Sequence, residues 1–166
     1  MINKDVKFRL EDTDDSLYFK DDINGYAMYY VDKELTKAYS GEIYSIFKGK
    51  IESEAQYING SKNGLEYIYY SNGDLEQINE CRGNVIFGVS KEYDENRNIK
   101  TASIVYNNNH LKVIEVDRIL DEYNIIDYRE KRHESGLPSY MEYLLNLSND
   151  ELVNYEFKTD NPNLII

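Results

Sequence analysis

The sequence has few cysteines, prolines and histidines, and no long apolar run. Its 166 residues include one cysteine, two prolines, two histidines and no tryptophan. One cysteine excludes an intramolecular disulfide framework, which favours a reducing compartment. No stretch reaches the length of a membrane span, and the first residues lack the apolar core of a signal peptide. We therefore expect a cytoplasmic protein.

The common catalytic motifs are also missing. There is no Gly-x-Ser-x-Gly, His-Glu-x-x-His, phosphate-binding glycine loop or Cys-x-x-Cys. His110 falls in a predicted turn, His133 in a charged loop, and Cys81 at a position that favours packing. The acidic stretches 11–15 and 94–98 lack the glycine and closing glutamate of a calcium loop. We predict that the chain is not an enzyme and needs neither a cofactor nor a metal ion.

Basic residues are in the minority. The chain has 19 lysines and arginines against 31 aspartates and glutamates, a net charge of −12. Such a chain is repelled by nucleic acid and by anionic membranes, and we expect it to bind neither. It attracts basic partners, although high solubility alone also accounts for the charge.

What the sequence does contain is a repeat. Ile51, Leu75 and Ile99 are evenly spaced along the chain, and similar glycine- and tyrosine-rich segments precede them. A fixed period in the range of about 20 to 50 residues is typical of a repeat architecture. We predict units at about 41–63, 64–87 and 88–110. Their defining residues are Gly41, Tyr44, Gly49, Tyr57, Gly60, Gly64, Tyr67, Tyr70, Gly73, Gly88 and Tyr93.

Each unit has the pattern of a β-hairpin. Asn72-Gly73 is a strong hairpin turn, and apolar and polar residues alternate from Ile51 to Tyr57. Ala55, Asn79 and Ser103 occupy one repeat position and are all small. Because a single hairpin is marginally stable, the units must stack. The sequence predicts a mainly β protein of tandem antiparallel hairpins in an extended twisted sheet, with a short helical C-terminal cap.

The segments that flank the repeats extend this prediction. Residues 5–10 suit an edge strand, and residues 17–20 and 26–31 suit two strands joined at Asn24-Gly25. Residues 111–116 suit another strand, whereas residues 117–131 fit either a helix or a strand. Capping boxes at Ser139 and Ser148 predict helices near 140–146 and 149–155. We divide the chain into a repeat domain, 1–116, and a capping segment, 117–166.

The pattern Gly-x-x-Tyr-x-x-Tyr-x-Asn-Gly-x-Leu at Gly64–Leu75, preceded by Tyr57-Ile-Asn-Gly60, resembles the variant MORN repeat. Tandem repeats of this kind also resemble the bacterial antitoxin components of the YwqK type. The third copy departs from the pattern, since it lacks the turn glycine and has Cys81 where Tyr57 stood. The resemblance covers about residues 17–110 and implies an antitoxin or immunity protein that neutralises a toxin by binding it.

An acidic strand face would complement a basic toxin. The candidate partner-binding residues lie on or beside the repeat hairpins: Glu52, Glu54, Glu66, Asp74, Glu76 and Glu80. A solvated strand face explains the same residues without a partner. A general interaction scaffold is the alternative function, and lipid binding is disfavoured by the charge. The sequence leaves open a monomer or a dimer through a sheet edge.

Overall fold

A computed structural model describes residues 8–128 and 136–166. The strands are β1 (Arg9–Glu11), β2 (Tyr18–Asp21), β3 (Ala27–Tyr30), β4 (Gly41–Phe47), β5 (Lys50–Ile58), β6 (Ser61–Tyr69), β7 (Leu75–Arg82), β8 (Val85–Tyr93), β9 (Ile99–Tyr106), β10 (Asn109–Asp117) and β11 (Glu122–Asp127). Two short helices, α1 (Ser139–Leu145) and α2 (Asn149–Val153), and a 3₁₀ turn (Pro162–Leu164) follow.

Nine strands form one sheet in the order β1-β4-β5-β6-β7-β8-β9-β10-β11. From β4 onward each strand pairs antiparallel with the next, as short hairpin turns require. β1 instead pairs parallel to β4, because the chain between them runs through the separate β2–β3 hairpin. The predicted mainly β fold with stacked hairpins and a helical C-terminal segment is confirmed.

The three predicted repeats overlap the hairpins β4–β5, β6–β7 and β8–β9, although β6 and β8 begin before the predicted units do, and β10–β11 forms a fourth hairpin. Residues 122–127 are therefore a strand, so the helical interpretation of residues 117–131 is wrong for their described part. Ile119 and Leu120, which suggested a helical period, lie exposed in the turn between β10 and β11. The sheet continues to Asp127, beyond the predicted boundary at residue 116.

One row of directly paired residues crosses the sheet and defines what we call its helical face. The row consists of Glu11, Tyr44, Glu54, Tyr67, Ile78, Lys91, Ala102, Ile114 and Ile125. Opposed residues of neighbouring strands point to the same side. On this face, α1 contacts β8 and β9, α2 contacts β9, and the 3₁₀ turn contacts β7. Met141, Leu144, Leu152 and Leu164 are fully buried there and complete the main hydrophobic core.

The opposite face carries the small repeat residues. Ala55, Asn79 and Ser103 are all buried, in a row of paired residues that alternates with the row above. The β2–β3 hairpin packs near one end of this side, where the rings of Tyr29 and Tyr57 meet edge to face at 5.2 Å between centroids. Burial raises the pKa of Tyr57 to about 12.

The two predicted capping boxes have different outcomes. Ser148 is the N-cap of α2: its hydroxyl accepts a hydrogen bond from the backbone N–H of Glu151, whose carboxylate accepts one from the N–H of Ser148. The box at Ser139 is wrong. The N-cap of α1 is Pro138, without a side-chain cap, because Ser139 is already the first helical residue.

Candidate partner-binding surface

Two hairpins repeat one local contact, which organises the helical face. The Gln56 side-chain oxygen accepts a hydrogen bond from the N–H of Leu65 at 2.8 Å, and one repeat later the Glu80 carboxylate accepts one from the N–H of Val89 at 2.8 Å. Each side chain comes from a position where the strand register shifts. The bulged strands therefore keep these backbone donors bonded.

The repeat glycines exist because of this contact. A Cβ atom at Gly64 would overlap the Gln56 side-chain oxygen, and one at Gly88 would overlap the Glu80 carboxylate. Both glycines also have positive φ, at 115° and 134°. A glycine is needed where the backbone approaches a side chain this closely.

Glu80 is completely buried and receives more than the repeat contact. One carboxylate oxygen accepts hydrogen bonds from Val89 N–H and from the Tyr140 hydroxyl at 2.7 Å. The other accepts from the Tyr155 hydroxyl at 2.7 Å and from the Asn161 amide at 3.1 Å. Three of these four donors belong to the C-terminal segment. Glu80 therefore fastens that segment to the sheet.

Burial dominates the electrostatics of this cluster. Desolvation raises the pKa of Glu80 above its usual range, although its four hydrogen-bond donors favour the ionised form. The pKa of the Tyr140 and Tyr155 hydroxyls is also raised, first by desolvation and then by the nearby Glu80 charge. Both tyrosines therefore remain protonated donors at neutral pH.

Lys91 is the second anchor of the C-terminal segment. Its side chain is buried, and its ammonium group donates to the backbone carbonyls of Val153 and Tyr155, each at 2.7 Å. Val153 is the last residue of α2, so the cation lies where the helix exposes unpaired carbonyls. The Phe157 ring lies 5.6 Å from the ammonium. Burial lowers the pKa of Lys91 to about 8.

The same face is more exposed over β4, β5 and the end of β6. Ile78, Lys91, Ala102 and Ile114 of the central row are buried, whereas Tyr44, Glu54 and Tyr67 are only half-buried. We call this second region the open part of the helical face. It consists of Glu42, Tyr44, Glu52, Glu54, Tyr67 and Tyr69.

The open part already holds one basic side chain. The Arg9 guanidinium donates to the Glu54 carboxylate at 2.6 Å and lies 3.8 Å from that of Glu42. It also stacks over the Tyr44 ring, 4.7 Å from the centroid. The Tyr69 hydroxyl donates to the second Glu54 oxygen at 2.5 Å. Carboxylates and tyrosine rings thus combine here into a surface that fits a guanidinium.

A groove of about 220 Å³ marks the border between the open and covered regions. Its walls include Glu42, Glu54, Gln56 and Tyr67 of the sheet and Thr159 of the C-terminal segment. The C-terminal segment therefore ends its cover of the sheet beside the open part.

The predicted partner-binding residues do not share one surface. Glu54 and Glu80 lie on the helical face, but Glu80 is completely buried, and its assignment to an exposed face is corrected. Glu66 lies on the opposite face, paired with Asn79 and Ser90 through the neighbouring strands. Glu52 is exposed on β5, and Glu76 is half-buried on β7. Asp74 lies at a hairpin tip, bonded to Arg97 at 2.6 Å.

Glu66 belongs to a polar network rather than to a free acidic surface. Its carboxylate bonds the Lys62 ammonium and accepts the Asn79 amide at 2.9 Å. The Cys81 thiol lies 3.8 Å from the same carboxylate and is buried, which raises its pKa strongly. A thiol of this kind is a poor nucleophile.

The histidines and the acidic loops add no site within the described residues. His110 is exposed at the start of β10, and His133 lies outside the described residues. Within residues 8–128 and 136–166, no group of three or more histidines, cysteines or acidic residues could hold a metal ion.

Sequence reasoning missed Lys91, Tyr140, Tyr155 and Asn161. Their bonding partners are distant in sequence, so no local pattern reveals them. One signal was available: Glu80 occupies the repeat position of Gln56, so its side chain belongs to the repeat framework and not to the solvated acids.

Comparison with protein-family models, curated proteins and solved structures finds no significant match. No helix in the described part of the chain is long and apolar enough to cross a membrane.

Proposed function

We propose that this chain is a non-catalytic, protein-binding repeat protein of the antitoxin or immunity kind, which neutralises a partner toxin by covering it. The observation that carries the proposal is the open part of the helical face. It presents tyrosine rings and carboxylates on a rigid sheet, beside a region that the chain covers with its own C-terminal segment. The resemblance to MORN repeats and YwqK-type antitoxins supports the same function.

Charge supports a basic partner. The net charge of −12 accelerates association with a basic protein, and this attraction weakens as salt rises. A toxin that acts on nucleic acid has a basic substrate-binding surface, which an acidic sheet would cover. We propose a cytoplasmic location, where such a toxin would act.

A general interaction scaffold is the second candidate, and a second exposed surface favours it. Ile119, Leu120 and Ile125 are exposed around β11, the last strand of the sheet. Such strands can accept a partner strand. A scaffold would use both surfaces for several partners, whereas an immunity protein needs one dedicated partner.

Affinity capture from a lysate of the source organism, at low and at high salt, tests the proposal. We expect one stoichiometric basic protein that survives moderate salt. The activity of that protein, measured alone and with an equimolar amount of this chain, should be lost on binding. Several weak partners, or one partner whose activity is unchanged, would favour the scaffold.

A further inference from the structure

The outer edge of β11 ends the sheet with backbone groups that point away from it. β11 is the last strand in the order, and no strand within residues 8–128 and 136–166 pairs with its far side. The N–H of Tyr128 donates to the carbonyl of Leu111 in β10 at 2.8 Å, which fixes the direction of the alternate residues before it. The N–H and C=O groups of Tyr123 and Ile125 therefore point outward, where a further strand can pair with them.

The two edges of the sheet differ in how they are protected. β1, at the opposite edge, has three residues and carries Arg9, and short charged strands discourage edge pairing. β11 has six residues, contains no proline, glycine or lysine, and has its acids only at the two ends. Its centre is uncharged, and the Ile125 side chain there is 45% exposed. Of the two edges, β11 is the one that favours pairing.

The sequence of β11 is complementary to itself in one antiparallel register. With Asn124 opposite Asn124 of a second copy, Tyr123 of each copy lies opposite Ile125 of the other. Pairs of an aromatic and a β-branched residue stabilise neighbouring strands. Glu122 lies opposite Ile126, so no like charges meet within the paired residues. Because Tyr123 and Ile125 are the residues with outward backbone groups, this register satisfies their hydrogen bonds.

Such pairing continues the way in which the hairpins already stack. Successive hairpins join through antiparallel pairs of strands, β5 with β6, β7 with β8 and β9 with β10. β11 is the outer strand of the last hairpin, and a second copy would supply the next one. Because opposed residues point to the same side, the helical faces of both copies would lie on one side of the joined sheet.

Charge opposes this pairing and gives it a characteristic salt dependence. Each copy has a net charge of −12, and Asp121 of one copy would lie opposite Asp127 of the other, just beyond the paired residues. Both aspartates are exposed, so salt screens their repulsion. Self-association should therefore strengthen as salt rises, whereas the association with a basic partner weakens.

We propose that the outer edge of β11 is a self-association surface, at which two copies pair antiparallel about a two-fold axis at Asn124 and form one continuous sheet. The inference goes beyond the proposed function and does not depend on it, because the open part of the helical face lies on other strands. One short strand buries less than the roughly 800 Å² per partner of a stable complex, so we expect a dimer that forms only at high protein concentration.

Analytical ultracentrifugation at low and high salt, up to about 1 mM protein, measures the association. We expect a monomer–dimer equilibrium whose Kd falls as salt rises. Ile125→Lys places an edge lysine at the centre of the contact and should raise the Kd at least about tenfold, although it lowers the net negative charge. Ile23→Lys changes the charge equally at a fully exposed position between β2 and β3, and should not weaken the dimer.

Crosslinking through Asn124→Cys tests the register. In a non-hydrogen-bonded antiparallel pair the Cα atoms lie about 4.5 Å apart, a distance that a disulfide bridges. Mild oxidation should therefore give a covalent dimer of Asn124→Cys, whereas Asn72→Cys, at an exposed hairpin tip, should remain monomeric. The native thiol of Cys81 is buried and does not compete.

Three results would overturn the inference. They are a monomer at every concentration and salt, equal effects of Ile125→Lys and Ile23→Lys on the Kd, and no crosslink through Asn124→Cys at a concentration where the dimer forms. If the edge instead pairs only with a strand of another protein, Asn124→Cys stays monomeric and the surface belongs to that partner.

Discussion

Gln56 and Glu80 occupy the same repeat position, yet they serve different purposes. Both accept the N–H of the residue that follows a repeat glycine, at 2.8 Å. Gln56 lies beside the open groove, whereas Glu80 also holds three donors from the C-terminal segment. A neutral amide is enough where the side chain only supports the backbone. A carboxyl group, whose two oxygens together accept four hydrogen bonds, stands where a second layer must be fastened.

The difference between Glu80 and Gln56 predicts that the largest loss of stability follows from truncating these two side chains. Glu80→Ala leaves four donors, three of them buried, without their acceptor and should lower the free energy of unfolding by about 3–4 kcal/mol. Gln56→Ala leaves one donor and should lower it by about 1–2 kcal/mol. Urea denaturation of both variants measures the difference. Equal losses would mean that the contacts to the C-terminal segment contribute no stability.

Substitution of the repeat glycines should also destabilise the protein more at the Glu80 contact than at the Gln56 contact. Gly88→Ala places a methyl group against a carboxylate that four donors hold in place, and we expect a loss of about 2–3 kcal/mol. Gly64→Ala meets a glutamine that can move away, so about 1–2 kcal/mol is expected. Thermal unfolding of the pair checks the order. A greater loss for Gly64→Ala would contradict the difference in rigidity between the two positions.

Substitution of Lys91 tests the second anchor of the C-terminal segment. Lys91→Met leaves the carbonyls of Val153 and Tyr155 without their donor and should cost about 1–2 kcal/mol. Faster amide exchange should appear in α2 before it appears in β4–β6. Lys100→Met removes an equal charge from an exposed position of β9 and serves as the control. Unchanged exchange in α2 would mean that Lys91 does not hold the segment.

Substitution of Ser148 tests the N-terminal cap of α2, the helix that Lys91 anchors. Ser148→Ala removes the N-cap hydrogen bond of α2 and should cost about 1 kcal/mol. Ser139→Ala is the matched control and should have almost no effect, because the Ser139 hydroxyl caps nothing in α1. The melting temperatures of the two variants, compared with that of the unsubstituted protein, test this prediction. A loss at Ser139 as large as at Ser148 would contradict the assigned start of α1.

The pH dependence of Glu80 gives the smallest and most specific effect. Because desolvation raises its pKa, the folded state binds this proton more tightly than the unfolded state does. The stability that Glu80 contributes is therefore present at low pH and is lost as pH rises through its folded pKa. Relative to Glu80→Gln, which does not titrate, the protein should lose stability as pH rises from about 4, the ordinary pKa of a glutamate, towards neutrality. A relative gain would mean that the four hydrogen bonds outweigh desolvation.

The sequence predicts the repeated part of the fold well because its constraints are local. The fixed repeat period located the hairpins, and the Ser148 box located α2, since each depends on neighbouring residues. The prediction at Ser139 failed because Pro138 is the N-cap and Ser139 is already the first helical residue. The segment of β11 was left open because Ile119 and Leu120 matched a helical period by chance. The sequence does not identify the anchors of the C-terminal segment, because strand alternation cannot distinguish a buried glutamate such as Glu80 from a more exposed one such as Glu54.

We propose that one framework binds the chain's own segment over β7–β9 and a partner over β4–β6. Hydrogen exchange of the protein, free and in complex with the captured partner, tests it most directly. We expect new protection in residues 41–58 and around Tyr67, with no change in β8 and β9. Protection confined to β11 or to the β2–β3 hairpin, with β4–β6 unchanged, would contradict it.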